Sequence, residues 1–483
     1  MDFLRSAVLV AVAGSCLFLS GCGTYRPVAS ILPLAPGNPQ LTDTVAVYNV
    51  NPSAIVDPTN VTGTVSVFNV AGDSNVGNYQ VGVNSTLAPT PQVPLTSRLV
   101  TFAASDTLIA AADTQADTVT LINPLLGTTQ TTTLPAEFVP ASITATVNTG
   151  LILVSLQPSP TATSFPTCGG EGAIGVVSAG TATLQETICA GSSPGFVQVM
   201  QGDTVAFILD QKDATNNLSV LNLATLSPAS TISPVGTVGT NPIWAATSID
   251  GSTLYVLNQG SNNISVVDAV NQAVNPTPIT TGALSAPSVI ITDFSSNRLY
   301  ISNTGSNTVS ILDASSSTLP VLLNSVSVGT APVGLAVTPD GLTVYVANTG
   351  SNFASVISAN SFVVTKLTPS FATVTLASNP NVATQVVDST ARIQAVAVSK
   401  DGTKAFIAQT TSTDVQQTVN TTSGSFTYSG NGTYVVLTST SAFVTNASGS
   451  QINLAPPQNL LCDAANTCAG ALLQRPVQIV PRM

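Results

Sequence analysis

One 27-residue phrase occurs three times between Pro242 and Ser358. Its copies begin at Pro242, Pro287 and Pro332, so successive copies start 45 residues apart. A fixed period of this length predicts a repeat architecture in which each unit is one supersecondary element. The repeat constrains the fold more than any other feature of the chain.

Each unit contains four short segments with the alternation of β-strands. In the copy from Pro332 these are VGLAV, TVYVAN, ASVIS and FVVTKL, called strands A to D, with a Pro-Asp-Gly turn after the first. Four antiparallel strands in about 45 residues are typical of a propeller blade. A parallel β-helix needs shorter coils, and a sandwich domain needs about twice this length.

Fainter copies extend the repeat in both directions. Units open at residues 97, 140, 194, 242, 287, 332 and 392, which makes seven. The segment 43–83 has later strands without a strand A, while RPVQIVP (475–481) has the strand A pattern. We therefore predict an all-β chain forming a β-propeller of four-stranded blades, with eight blades closed by the N- and C-terminal strands. Seven blades remain the alternative.

The segment PDGLTVYVANTGSNFASVIS resembles the YVTN-type β-propeller repeat of bacterial and archaeal surface proteins. The positions that match its tyrosine are Tyr255, Tyr300 and Tyr345, and those that match its asparagine are Asn258, Asn303 and Asn348. The outer copies depart from the pattern, with Ala110 and Asp113 at these two positions. The resemblance implies a bacterial surface lipoprotein with a propeller domain.

The N-terminus predicts export and lipidation. An apolar run follows Arg5 and ends at Leu19-Ser20-Gly21-Cys22, which resembles a bacterial lipobox. We expect a signal peptide over 1–21, a lipid on Cys22, a Pro-rich tether over 22–41 and one propeller domain over 42–483. The protein would then be anchored at the cell envelope, on the outer membrane or the cell surface. An ordinary signal peptide is the alternative.

Four cysteines remain for an oxidising compartment after Cys16 leaves with the signal and Cys22 takes the lipid. Three pairings are open for Cys168, Cys189, Cys462 and Cys468. We favour Cys168 with Cys189 and Cys462 with Cys468, because B-to-C turns and D-to-A connections share one rim of a propeller. A zinc site is disfavoured, since there is no CxxC spacing and no histidine.

Composition removes several functions. The chain has no histidine, which excludes Ser-His-Asp and Cys-His catalysis and imidazole metal ligands. Its 11 basic residues against 22 acidic ones give a net charge of −11, which argues against nucleic acid as a partner. We expect no cofactor, a monomer, and a protein or polysaccharide partner.

Several residues suggest sites, but each also has a structural explanation. The TGSN and QGSN turns could line a glycan site, and Asp250, Asp340 and Asp401 could bind a cation; Asn and Asp-Gly also favour tight turns. Trp244 could stack on a sugar or pack in the core. The only glutamates, Glu137, Glu171 and Glu186, form no evident catalytic pair.

Two functions follow as hypotheses. The first is a non-enzymatic binding or scaffold module, whose specificity lies where the repeat is broken, at 158–172, 411–432 and 441–474. The second is a propeller enzyme, a lactonase-like hydrolase or a lyase, with carboxylates and a bound metal in the central channel. A convergence of acidic side chains on the channel would distinguish the enzyme from the binding module.

Overall fold

The computed structural model describes residues 44–50, 64–69, 74–81, 99–103, 107–114, 116–226, 232–316, 319–368, 371–374, 383–386, 392–402, 404–421, 424–439, 443–445, 451–453, 458–459 and 475–481. The predicted signal peptide, Cys22, the predicted tether, Cys462 and Cys468 lie outside these residues. Within them all regular structure is β-strand. No helix with the length and hydropathy needed to cross a bilayer occurs in this part of the chain.

The strands form eight four-stranded sheets, numbered here as blades 1 to 8. Blade 1 contains β1 (Thr44–Val50), β2 (Thr64–Asn69) and β3 (Ser74–Gln80). Blades 2 and 3 contain β4 (Val100–Ala103), β5 (Leu108–Asp113), β6 (Thr118–Asn123), β7 (Thr128–Thr133), β8 (Phe138–Ala145), β9 (Leu151–Pro158), β10 (Ala173–Ser178) and β11 (Thr183–Cys189). Blades 4 and 5 contain β12 (Pro194–Val199), β13 (Val205–Asp210), β14 (Leu218–Asn222), β15 (Ser233–Gly236), β16 (Pro242–Thr247), β17 (Thr253–Asn258), β18 (Asn263–Asp268) and β19 (Ala273–Val274).

Blades 6 and 7 contain β20 (Pro287–Asp293), β21 (Arg298–Asn303), β22 (Thr308–Asp313), β23 (Val321–Ser327), β24 (Pro332–Val337), β25 (Thr343–Asn348), β26 (Ala354–Ser358) and β27 (Val364–Leu367). The pair β28 (Phe371–Val374) and β29 (Ala383–Val386) precedes blade 8, which begins with β30 (Arg392–Val398), β31 (Lys404–Thr421) and β32 (Gly424–Ser439). A second pair, β33 (Phe443–Thr445) and β34 (Gln451–Asn453), precedes the outer strand β35 (Gln458–Asn459) of blade 8. The last strand is β36 (Arg475–Pro481).

The ring is closed by the two ends of the described chain. Strand β36 pairs antiparallel with β1, from Val45 opposite Pro481 to Val50 opposite Arg475, and becomes strand A of blade 1. The A strands contact one another in the order β36, β4, β8, β12, β16, β20, β24, β30 and again β36. The predicted eight-bladed propeller closed by N- and C-terminal strands is therefore confirmed. Closure covers the inner sheet edges that an open ring would expose.

The prolines of the repeat open the inner strands. Pro242, Pro287 and Pro332 are the first residues of their A strands, and the pairing with strand B shifts by one residue immediately after each of them. Proline has no amide N–H for a ladder bond, so it is tolerated at a strand start or at a bulge. The proline thus marks where each inner strand begins.

The repeated tyrosines fill the space between neighbouring blades. Tyr255, Tyr300 and Tyr345 are fully buried. Tyr255 packs with Ile290 and Leu299 of blade 6, and its two counterparts face blades 7 and 8 in the same way. Large buried rings supply much of the apolar area that holds one sheet against the next.

The turns divide the propeller into two rims. The A–B and C–D turns form what we call the lower rim, and the B–C turns and D–A connections form the upper rim. In blade 8, β31 and β32 stay paired from Lys404–Ser439 to Thr421–Gly424, whereas β30 pairs with β31 only as far as Thr410. The predicted insertion at 411–432 is therefore a two-stranded hairpin that continues beyond the blade at the upper rim.

Candidate functional site

The upper rim is built from turns that hydrogen-bond to the chain entering the same blade. The two amides at the start of each B–C turn donate to two successive carbonyls of that D–A connection, at 3.0 to 3.1 Å. The donors are Gln259 and Gly260, Thr304 and Gly305, and Thr349 and Gly350; the acceptors are Asn241 and Thr240, Ala286 and Ser285, and Ala331 and Thr330. The turn backbone is therefore part of the scaffold of this rim.

The asparagine of the repeated motif has a structural role in the same region. Asn258, Asn303 and Asn348 are fully buried, and each donates its Nδ2 to a serine hydroxyl of strand C at 2.9 to 3.1 Å. In blade 7 that hydroxyl, Ser355, accepts the Gly329 amide at 3.1 Å. A Cβ at Gly329 would lie 2.6 Å from the Asn348 side chain, so the connection requires glycine here.

The asparagines that end the QGSN turn of blade 5 and the TGSN turn of blade 6 also bond within the chain. Asn262 and Asn307 adopt positive φ, at 50° and 57°. Their Oδ1 atoms accept the amides of Ala286 and Ala331 in the next D–A connection, at 2.7 and 2.8 Å. These bonds tie blade 5 to blade 6 and blade 6 to blade 7, and they support the structural explanation of the motif over a glycan site.

The three Asp-Gly turns lie on the lower rim, away from the QGSN and TGSN turns of the upper rim. Asp250, Asp340 and Asp401 each accept a hydroxyl hydrogen bond from the residue two positions earlier, at 2.5 to 2.6 Å. The bonds from Ser248 and Thr338 hold the pKa of Asp250 and Asp340 below its ordinary value. These carboxylates stabilise their own turns. Across the described residues, no three His, Cys, Asp or Glu side chains converge as a metal site would require.

The insertion of blade 3 is the best-defined departure from the repeat. Residues 159–172 form its B–C loop on the upper rim, and Cys168 is disulfide-bonded to Cys189 at the end of strand D, with Cα atoms 5.5 Å apart. This is the pairing favoured from the sequence. Glu137 is buried in the D–A connection and accepts the Thr167 amide on both carboxylate oxygens, at 3.2 and 3.3 Å. The loop is thus held at two points while Thr163, Ser164 and Glu171 remain exposed.

Of the other glutamates, Glu171 is exposed on this loop and Glu186 lies on the outer strand β11, so the structure does not bring the three into one site. Trp244 is partly buried between blades 4 and 5, and its ring lies 4.7 Å from that of Phe196. The tryptophan packs in the core, as its structural explanation predicted.

Two buried carboxyl groups that were not predicted as functional from the sequence form hydrogen bonds to neighbouring segments of the chain. Asp203, buried in the A–B turn of blade 4, accepts the successive amides of Val147, Asn148 and Thr149 in blade 3. Asp210, at the blade 4 position of the motif asparagine, accepts the Ser193 amide at 2.9 Å. No local signal distinguishes Asp203, because its partners lie more than 50 residues away.

Blade 2 places two carboxyl groups where the repeat has asparagines. Asp113 occupies the position of Asn258, and Asp117 that of Asn262, with the same positive φ of 49°. The Oδ1 atom of Asp117 is buried and has no hydrogen-bond partner among the described residues. Burial, with a smaller contribution from the charge of Asp113, raises the pKa of Asp117 to about 6. Asp117 therefore titrates closer to neutral pH than an ordinary aspartate.

Substitution Asp117→Asn is expected to stabilise the protein at pH 7 and to flatten its pH dependence. The folded state binds this proton more tightly than the unfolded state, so the contribution of Asp117 to the free energy of unfolding falls as pH rises from about 4 to about 6. At a half-buried group the effect is about 1 kcal/mol. Urea unfolding between pH 4 and pH 7 measures it.

Asp268→Asn is the matched control, since hydrogen bonds lower the pKa of that exposed carboxyl. An equal gain from both substitutions would indicate only the loss of net negative charge and would contradict the local explanation.

Comparison with known proteins supports the fold alone. No protein-family model and no curated protein matches the sequence. Among solved structures, dihydro-heme d1 dehydrogenase NirN in complex with DHE aligns with a TM-score of 0.58 at 13% identity, over 90% of this chain and 77% of that one.

Weaker likenesses are a 6-phosphogluconolactonase-like protein from Bacteroides uniformis (TM-score 0.47, 12% identity, 67% of this chain and 95% of that one) and the Cps50 (Swd1) β-propeller domain of Myceliophteria thermophila (0.45, 8%, 66% and 94%). At these identities the likenesses support the fold and no particular activity.

Proposed function

We propose that this chain is a lipid-anchored β-propeller of a bacterial cell envelope, of the YVTN repeat type, that binds a protein or polysaccharide through its upper rim without catalysing a reaction. The lipobox at Leu19–Cys22 supports a signal peptide and attachment to the membrane through Cys22. The low content of basic residues supports partners other than nucleic acid. We propose a monomer, because the closed ring covers its inner strand edges.

The observation that carries the binding role is the loop at 159–172. It is exposed, it interrupts the repeat, and it is held by the Cys168–Cys189 disulfide and by Glu137. A loop that is already ordered loses little conformational entropy when it binds, and loops on a rigid scaffold commonly carry recognition. The hairpin at 411–432 lies on the same rim and enlarges the surface available to a partner.

The variant Thr163→Arg/Ser164→Arg is expected to weaken capture of the envelope partner at least about tenfold, because two large cations would occupy the centre of the proposed surface. The measurement is a pull-down with immobilised protein from solubilised envelope and from fragmented envelope polysaccharide, quantified by mass spectrometry.

The matched control is Thr181→Arg/Thr183→Arg, which places the same two cations at exposed positions by the C–D turn of the same blade. Equal capture by both variants would contradict the assignment to the upper rim. Failure of the wild type to capture any envelope component would contradict the binding function itself.

A further inference from the structure

Exposed large apolar side chains are concentrated on the lower rim. Among the described residues, nine of the eleven such side chains lie in A–B or C–D turns, whereas none lies on the upper rim, so their distribution is one-sided. The nine are Leu125, Leu126, Val147, Ile249, Val270, Phe294, Leu319, Leu342 and Val363, contributed by blades 2, 3, 5, 6 and 7. We call this set the apolar rim. Apolar groups gathered on one face indicate an interaction surface more strongly than scattered ones do.

The fold does not require apolar residues at these positions. Ile249 follows Ser248 in the A–B turn of blade 5, and the same position of blade 8 is held by the exposed Lys400. In the C–D turn of blade 5, the Asp268 side chain accepts the amides of Val270 and Asn271 at 3.0 and 2.9 Å. These bonds stabilise the turn without the side chain of Val270. The Val270 side chain is 73% exposed.

The chain also enters the propeller at this rim. Strand β1 is strand B of blade 1 and begins at Thr44, so its first residues lie at the A–B end, where Val45 pairs with Pro481. Cys22, the proposed lipid attachment site, lies 22 positions before Thr44. Even fully extended, such a segment spans no more than about 75 Å. A lipid on Cys22 would therefore hold the ring to the bilayer from its lower-rim end.

The charged residues of the lower rim indicate which lipid headgroups it can approach. The exposed Asp250 and Asp268 and the half-buried Asp313 lie at turns of the lower rim, and hydrogen bonds from hydroxyl and amide groups hold the pKa of each carboxyl below its ordinary value. They are ionised at neutral pH and repel anionic headgroups. A zwitterionic surface avoids this repulsion and still accepts apolar side chains at its interface.

We propose that the apolar rim binds to the surface of a zwitterionic phospholipid bilayer, with the side chains of Leu126, Val270 and Phe294 entering the interfacial layer. The proposal extends the proposed function, because the lipid on Cys22 is what would deliver the rim to a bilayer. In this orientation the upper rim faces away from the membrane, where an envelope partner can reach the loop at 159–172.

The test uses the mature chain, residues 22–483 with Cys22→Ser, and phosphatidylcholine vesicles, so that neither a lipid nor the apolar run of the signal peptide contributes to binding. We expect measurable co-sedimentation, and a partition constant about tenfold lower for Val270→Ser/Phe294→Ser, because these side chains are 73% and 64% exposed and would leave water on binding. The matched control is Leu323→Ser. This exposed apolar residue lies inside the outer strand β23 and not in a turn, and its removal should leave binding unchanged.

Hydrogen exchange of the lipidated chain on the same vesicles gives a second readout. Amides of the A–B and C–D turns, such as 248–252 and 268–272, should exchange more slowly than in the soluble Cys22→Ser chain, while those of the B–C turn 259–262 should not change. Equal effects of Val270→Ser/Phe294→Ser and of the control Leu323→Ser, or protection of the B–C turns instead, would overturn the proposal. Protection of the apolar rim only by envelope proteins and not by protein-free vesicles would assign it to a protein partner and also overturn it.

The lipidation of Cys22 is tested separately from the binding of the apolar rim to vesicles. If Cys22 carries no acyl group by mass spectrometry, the proposed anchoring fails, while vesicle binding by the Cys22→Ser chain still decides whether the rim recognises lipid.

Discussion

Deletion of residues 475–483 is expected to open the ring and to lower the free energy of unfolding by on the order of 5 kcal/mol. Strand β36 makes six residue pairs with β1 and contacts the inner strands β30 and β4 on either side. Its Gln478 side chain also accepts the Leu99 amide at 2.7 Å, which joins blade 1 to blade 2. Removal of the strand would leave one edge of β1 unpaired and would uncover the sides of β30 and β4 that it contacts.

Urea unfolding followed by circular dichroism measures the loss, with deletion of Arg482 and Met483 alone as the control, because these residues follow the end of β36. A synthetic peptide of residues 474–483 should restore the unfolding midpoint of the truncated protein when added in excess. An unchanged midpoint after the longer deletion would contradict closure by this strand.

Substitution Tyr255→Ala is expected to destabilise the protein by about 3–5 kcal/mol. The aromatic ring of Tyr255 is fully buried between blades 5 and 6, against Leu257, Ile290 and Leu299. Its removal therefore leaves a cavity at the contact between two sheets. Neighbouring sheets cannot move together to close such a cavity, because each is also held by the blade on its other side. Chemical denaturation at neutral pH provides the measurement.

Tyr255→Phe keeps the ring and removes only the hydroxyl, so it serves as the control and should cost much less than the alanine variant. If the two variants were equally stable, the tyrosine would not be the packing element between blades that we infer.

Much of the fold could be predicted because the blade is a local structure. Pro242, Pro287 and Pro332 mark strand starts through the missing amide, and the alternation of apolar residues reports which face of each strand is buried. Even closure was predictable, since RPVQIVP carries the pattern of an inner strand. These signals lie within one repeat, where neighbouring residues determine the backbone.

The candidate site was less accessible to sequence reasoning. The motif residue Asn258 had no predicted role beyond its match to the repeat, and only its bond to Ser265 and its burial show that it supports the scaffold. Asp203 gave no signal at all, because the amides it accepts belong to the preceding blade. A hydrogen bond between blades depends on how two sheets are placed, which no local pattern encodes.

The sequence by itself determined the repeat and the four-stranded unit, since both follow from spacing along the chain. It favoured eight blades over seven and the pairing of Cys168 with Cys189, and the structure shows both. Only the tertiary structure decided which face each residue serves. It gathered Leu126, Val270 and Phe294, which are far apart in sequence, on one rim, and it placed the disulfide-held loop on the other. The physical reason is closure of the ring, which turns a linear series of similar turns into two surfaces of different chemistry.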